Sequence, residues 1–106
     1  MLPDQFKFDI RSAKINDYLL NLHHPDGWSK AKFFRKHGFT TEESVKSLLH
    51  SVIQLNEAKQ MVQAGYGAKY IVEGATAPDS AIMLSTVWIV LKGENICRFE
   101  TAYPLG

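Results

Sequence analysis

Hydrophobic positions change rhythm several times along the chain, and each change marks an element. Phe6, Phe8 and Ile10 alternate with Lys7, Asp9 and Arg11, the period of a strand or extended arm, and Pro3 keeps the residues before them out of a helix. The spacing then lengthens. Ile15, Leu19 and Leu22 share one face of a short helix that Asn16 or Asp17 can cap. Pro25-Asp26-Gly27 reads as a turn, after which Ser29 heads a second helix running to His37. Ala31, Phe33 and Phe34 form its apolar side, and Gly38 stands where a left-handed glycine ends a helix. A third helix has the clearest pattern. Thr40-x-x-Glu43 resembles a capping box, and Val45, Leu48, Leu49, Val52 and Ile53 recur at helical spacing before Leu55 closes the run.

After Asn56 the pattern turns to short β-type runs. Residues 60–64 and 69–73 flank Gly65-Tyr66-Gly67 as a hairpin, and residues 74–80, with Pro78 and Asp79, form a loop. Residues 83–91 (MLSTVWIVL) are the most β-prone stretch, and a turn at residues 92–95 leads into a last strand over 96–103. Helices first and a meander afterwards predict an α+β fold, with N-terminal helices packed on a roughly four-stranded antiparallel sheet. The expected organisation is a single domain over residues 1–106. It has an arm or edge strand over 1–14, a helical part over 15–57 and the sheet over 58–104.

The register of the last hairpin decides which side chains face the core. A three-residue loop puts Val87, Ile89 and Leu91 on the face of Cys97, Phe99 and Thr101, and leaves Thr86, Trp88, Arg98 and Glu100 on the other. A two- or four-residue loop instead pairs Trp88 with Phe99 and Thr86 with Thr101. The first separates apolar from polar residues better and is the expected register.

Composition removes several function classes. The 106 residues include 12 Lys+Arg and 11 Asp+Glu, a net charge of +1, so no global field marks a nucleic-acid binder. Basic charge is nevertheless concentrated, with Lys30, Lys32, Arg35 and Lys36 following Trp28 without an intervening acid. One cysteine, Cys97, excludes an intrachain disulfide and a cysteine-rich metal site, and fits a small buried apolar residue better than a nucleophile. No apolar run reaches membrane-spanning length and the N-terminus has no signal-peptide core, so a cytoplasmic protein without membrane contact is expected. Nothing in the spacing of His23, His24, His37 and His50 forms a ligand motif, so neither metal nor cofactor is expected.

Candidate chemistry gathers in residues 23–39, which hold three of the four histidines. His24 can move a proton near neutrality; His37 is most simply a charge at a helix end. The basic run can hold phosphates and Trp28 can stack a base, although a solvated helix face explains the same residues. Arg98 and Glu100 beside hydroxyls can serve phosphoryl or ribose chemistry, or form a surface pair of little energetic worth.

The segments DYLLNLHHPDGWSKAKFFRKHGF, GYGAKYIVEG, TVWIV and RFETAYP, in this order, resemble the bacterial family known as domain of unknown function 6883. The family name carries no activity, and similar domains occur as small cytoplasmic proteins and near polymorphic-toxin systems. The layout of helices followed by an antiparallel sheet is also similar to the barnase–EndoU–colicin–RelE group of small ribonucleases, which cut RNA without metal. That likeness implies His24 in proton transfer, Lys30 or Lys32 on phosphate, Arg98 stabilising the pentacovalent phosphate, and Thr101 and Tyr103 orienting the ribose. Lys32, Arg35, Lys36 and Trp28 are the nucleic-acid-binding candidates. RNA and a cognate protein are the expected partners. The competing expectation is a non-catalytic interaction module, of immunity or regulatory type, in which the basic helix meets an acidic surface.

Overall fold

The computed structural model describes residues 7–25, 28–78 and 82–105, and of residues 60–62 the backbone alone. Phe6 and the residues before it, the Asp26-Gly27 part of the expected turn and the end of the 74–80 loop lie outside the described residues. The chain forms β1 (Lys7–Asp9), α1 (Ser12–Lys14, continuing in π-helical form through Ile15–Leu19), α2 (Trp28–Lys36) and α3 (Glu42–Leu55). Four strands follow: β2 (Ala58–Ala64), β3 (Gly67–Ala75), β4 (Met83–Leu91) and β5 (Ile96–Pro104). The fold is α+β, with the helices N-terminal to an antiparallel meander.

The sheet has the order β1-β5-β4-β3-β2. β2 to β5 are antiparallel neighbours. β1 adds a fifth strand, parallel to β5, through Lys7↔Ile96, Phe8↔Cys97 and Asp9↔Arg98. The edge strand expected within residues 1–14 is present, and because a parallel partner so distant in sequence leaves no local hairpin signal, only its pairing was not legible.

α3 supplies the largest helical share of the core. Val45, Leu48, Leu49, Val52 and Ile53 are buried, together with Ile15 and Leu19 of α1, Phe34 of α2, and Val72, Leu84, Trp88, Cys97, Phe99 and Ala102 of the sheet. The helix starts one residue later than the sequence pattern suggests. Thr41 is the N-cap: its hydroxyl accepts from Ser44 N–H at 3.1 Å, and Thr41 N–H donates back to Ser44 Oγ at 3.2 Å. Serine takes the reciprocal role expected of Glu43. Ser29, expected as a cap, lies inside α2, whereas Gly38 does end that helix at φ +87°. Asn56 closes α3, its Nδ2 donating to Val52 O at 2.9 Å and to Ala75 O at 3.0 Å. Gly74 makes room for it: at φ +149°, a Cβ there would stand 1.9 Å from Asn56 Oδ1.

The β4–β5 register corrects the expected one. Val90↔Cys97, Ile89↔Arg98 and Trp88↔Phe99 pair near the turn. Beyond them the pairs are Val87↔Thr101, Thr86↔Ala102 and Ser85↔Tyr103. Glu100 is the extra residue of a β-bulge, which returns the strand to the expected register only past Phe99. Trp88 and Thr86 therefore face the core, both fully buried, rather than a polar face. Each satisfies the other. The indole Nε1–H donates to Thr86 Oγ1 at 2.9 Å, and that hydroxyl donates to Val72 O at 2.8 Å. Phe8 and Phe99 pack edge-on to Trp88, with ring centroids 5.7 and 5.3 Å away. Among the described residues, no helix is long and apolar enough to cross a membrane.

Candidate functional site

Two local irregularities build the site. In α1 the Leu20 N–H reaches back to Ile15 O at 2.8 Å, a π-type turn, so that Ile15 and Leu19 stay buried while Asp17 and Tyr18 border a cleft. In β5 the bulge at Glu100 sets Ala102 into the core and takes Thr101 and Tyr103 off the core face. With Glu100 in ordinary alternation and no bulge, Thr101 would fall on the side of Phe99.

Between these elements lies an open cleft of 720 Å³, beside the part of β5 that β1 no longer covers. Lys30, projecting from the first turn of α2, stands at its centre. The ammonium donates to the Tyr18 hydroxyl and, at 3.1 Å, to Thr101 Oγ1. It also lies 4.7 Å from the Tyr18 ring centroid and 6.0 Å from that of Tyr103. His24 packs edge-on against Tyr18 with centroids 4.9 Å apart. Asn21 fixes the turn that brings it there, accepting from His23 N–H at 2.9 Å and receiving His24 N–H on its carbonyl at 3.3 Å. Adjacent histidines diverge, leaving His23 exposed. Arg11, Lys14, Asp17 and Glu100 complete the rim.

Four of the five residues expected to act together, His24, Lys30, Thr101 and Tyr103, thus line one cleft. Arg98 does not. Its guanidinium lies 3.5 Å from Asp9 Oδ2 and 3.4 Å from Glu94 Oε2, and it lines a neighbouring depression. The remaining basic residues of α2 point elsewhere. Lys32 sits over the exposed Trp28 ring at 5.4 Å, and Lys32, Arg35 and Lys36 border a separate groove with Leu22 and Phe33. Arg35 is a structural tie: its Nε and Nη2 donate to Leu20 O at 3.2 and 2.8 Å, satisfying a carbonyl left open at the end of α1. Tyr18, Arg11 and Lys14 were not singled out in the sequence. Tyr18 lies within a stretch read only for its apolar spacing, and nothing local reveals the π-turn that brings it to the cleft.

Chemically, the cleft offers an imidazole, an ammonium held by two hydroxyls, two carboxylates and two further cations. Among the described residues, no three His, Cys, Asp or Glu side chains gather to hold a metal ion. Cys97 is fully buried, and burial pushes its thiol up to about 12.

No curated protein matches the chain. Among solved structures, a chain of a contact-dependent growth inhibition toxin–immunity protein complex from Klebsiella pneumoniae 342 is similar in fold. Its TM-score is 0.65 and its identity 22%, over 92% of each chain. A family model described as "Domain of unknown function (DUF6883)" matches residues 1–106, and the chain belongs to that family.

Proposed function

We propose that the protein is a toxin-like domain that binds RNA in this cleft and cleaves it without metal. The observation that carries the reading is the gathering of His24, Lys30, Thr101 and Tyr103 around one 720 Å³ cleft. These groups suit transfer of a phosphodiester to its own neighbouring ribose hydroxyl. His24 accepts the proton of the 2′-hydroxyl as that oxygen attacks phosphorus. Lys30 neutralises the charge gathering on the phosphoryl oxygens, and Thr101 and Tyr103 position the ribose. As the P–O5′ bond breaks, the leaving oxygen takes a proton from the Tyr18 hydroxyl, and the Lys30 ammonium that donates to Tyr18 stabilises the phenolate until solvent reprotonates it. The products are a 2′,3′-cyclic phosphate and a 5′-hydroxyl. Asp17 and Glu100 partly offset Arg11, Lys14 and Lys30, so binding is modest and weakens with salt.

Induced expression with growth recorded, alongside incubation of purified protein with RNA in chelator, tests the reading. Arrest and cleavage by the wild type, both lost in a folded His24→Ala/Lys30→Ala variant, are expected. Intact RNA and normal growth with the wild type would overturn it.

A second reading, a non-catalytic module that binds a protein, is favoured by the outer side of α2. There Trp28 and Leu22 are 49% and 45% exposed beside Lys32, Arg35 and Lys36, a combination suited to an acidic partner. The complex to which the similar chain belongs also supports a protein partner. Stable capture of an acidic protein by a wild type that leaves RNA intact would select this reading.

A further inference from the structure

We propose that the depression next to the cleft is a second phosphate subsite, so that the ligand is a single strand presenting neighbouring phosphates rather than a mononucleotide. The inference rests on the RNA reading above and extends it.

The depression, 210 Å³ in volume, is lined by Asp9 and Arg98 together with Arg11, Lys14 and Glu100, and the last three also line the cleft. The two hollows therefore share a wall. The β5 bulge sets their spacing. Arg98 pairs with Ile89 and Thr101 with Val87, so on the regular strand β4 the two positions are two residues apart. That is about 7 Å at the rise of a strand, the order of one nucleotide step along an extended chain. A phosphate at Lys30 and Thr101 leaves its neighbour within reach of Arg98.

Arg98 is suited to exchange its partners. Its contacts to Asp9 and Glu94, at 3.5 and 3.4 Å, are longer than the 2.7–2.9 Å typical of a charge-assisted hydrogen bond. Both carboxylates are partly exposed, where such pairs contribute little. Arg98 Nε–H is buried with no acceptor among the described residues. A planar guanidinium with one idle donor and two loose ones matches the fork geometry of a phosphate. Asp9 Oδ2 is also 4.0 Å from Arg11 Nε, so it can keep one arginine when a phosphate takes the other.

The test uses uncleavable 2′-O-methyl oligoribonucleotides and the full chain at ~50 mM salt, where phosphate contacts are strongest. A dinucleotide with one phosphate is compared with a tetranucleotide with three. The wild type should bind the longer strand at least about tenfold more tightly, as an added phosphate contact at low salt permits. Arg98→Gln, shown folded by its thermal melt, should lose most of that gain while its dinucleotide affinity holds. Asp9→Asn, which frees Arg98, should bind the tetranucleotide more tightly and the dinucleotide unchanged. An equal length gain in wild type and Arg98→Gln, or weaker tetranucleotide binding by Asp9→Asn, overturns the second subsite alone. No binding of either strand by the wild type overturns both this inference and the RNA reading.

Discussion

Lys30 Nζ donates to Thr101 Oγ1 at 3.1 Å, a hydrogen bond that joins the start of α2 to the far half of β5 across 71 positions of sequence. It ties the helical part to the sheet at the floor of the cleft. On the proposed function, Lys30→Met should lower RNA cleavage by roughly 10²–10⁴-fold, the range for losing a positioned acid or charge. The melting temperature should change little, because Lys30 is only half-buried. Single-turnover cleavage with a thermal melt checks this; full activity in Lys30→Met would remove Lys30 from the chemistry. Thr101→Val should cost less activity, since Tyr18 still holds the ammonium.

Thr86 is the acceptor for the buried Trp88 indole. Thr86→Val keeps the shape and leaves Nε1–H without its partner, which should destabilise the fold by about 1–3 kcal/mol. Denaturant titration measures the loss, and an unchanged midpoint would mean the indole finds another acceptor.

Gly74→Ala sets a methyl against Asn56 in a backbone conformation that disfavours side chains. A cost of roughly 1–3 kcal/mol is expected from the backbone alone. Asn56→Gly/Gly74→Ala removes the clash but also the cap, so only part of the stability should return in the same titration.

Glu42 accepts from Lys46, which holds its carboxyl below the usual 4.5, with Ser12 and Asn16 adding to the effect. A lowered value means that the charged form is favoured by folding. Its contribution is present above pH 4.5 and fades as pH falls through the folded value. Glu42→Gln should therefore melt slightly below the wild type at neutral pH and level with it in strong acid.

For Cys97 the sign is opposite. Burial raises the thiol from 9.0 to about 12, so its contribution is whole below pH 9.0 and is lost as pH climbs toward 12. Cys97→Ala should start less stable and lose less across that window. Thiol reagents should label the native protein slowly at neutral pH and the unfolded chain at once.

Much of the fold could be read from side-chain period. Val45, Leu48, Leu49, Val52 and Ile53 announced α3 and its buried face, and the alternation after Asn56 announced the meander. What periodicity missed depends on single residues or distant partners. The cap moved from Thr40 to Thr41 because serine at residue 44 can return the hydrogen bond that glutamate usually makes. The parallel pairing of β1 lies some ninety residues from its own segment along the chain. His24, Lys30, Thr101 and Tyr103 could be named as chemically capable, but their common cleft depends on the π-turn and the bulge. Arg98 was grouped with them through the likeness to small ribonucleases and not through strand alternation, and the structure places it in the neighbouring depression.

That surplus residue works as a frame shift within one strand. The half of β5 before Glu100 answers to the demands of the core, and the half after it answers to the cleft, each with its own alternation of inward and outward positions. Were Glu100 paired as an ordinary residue instead, every side chain beyond it would be chemically intact and aimed the wrong way, Thr101 inward and Ala102 outward. One unit of chain length thus resets which positions of the strand face the core and which face the cleft.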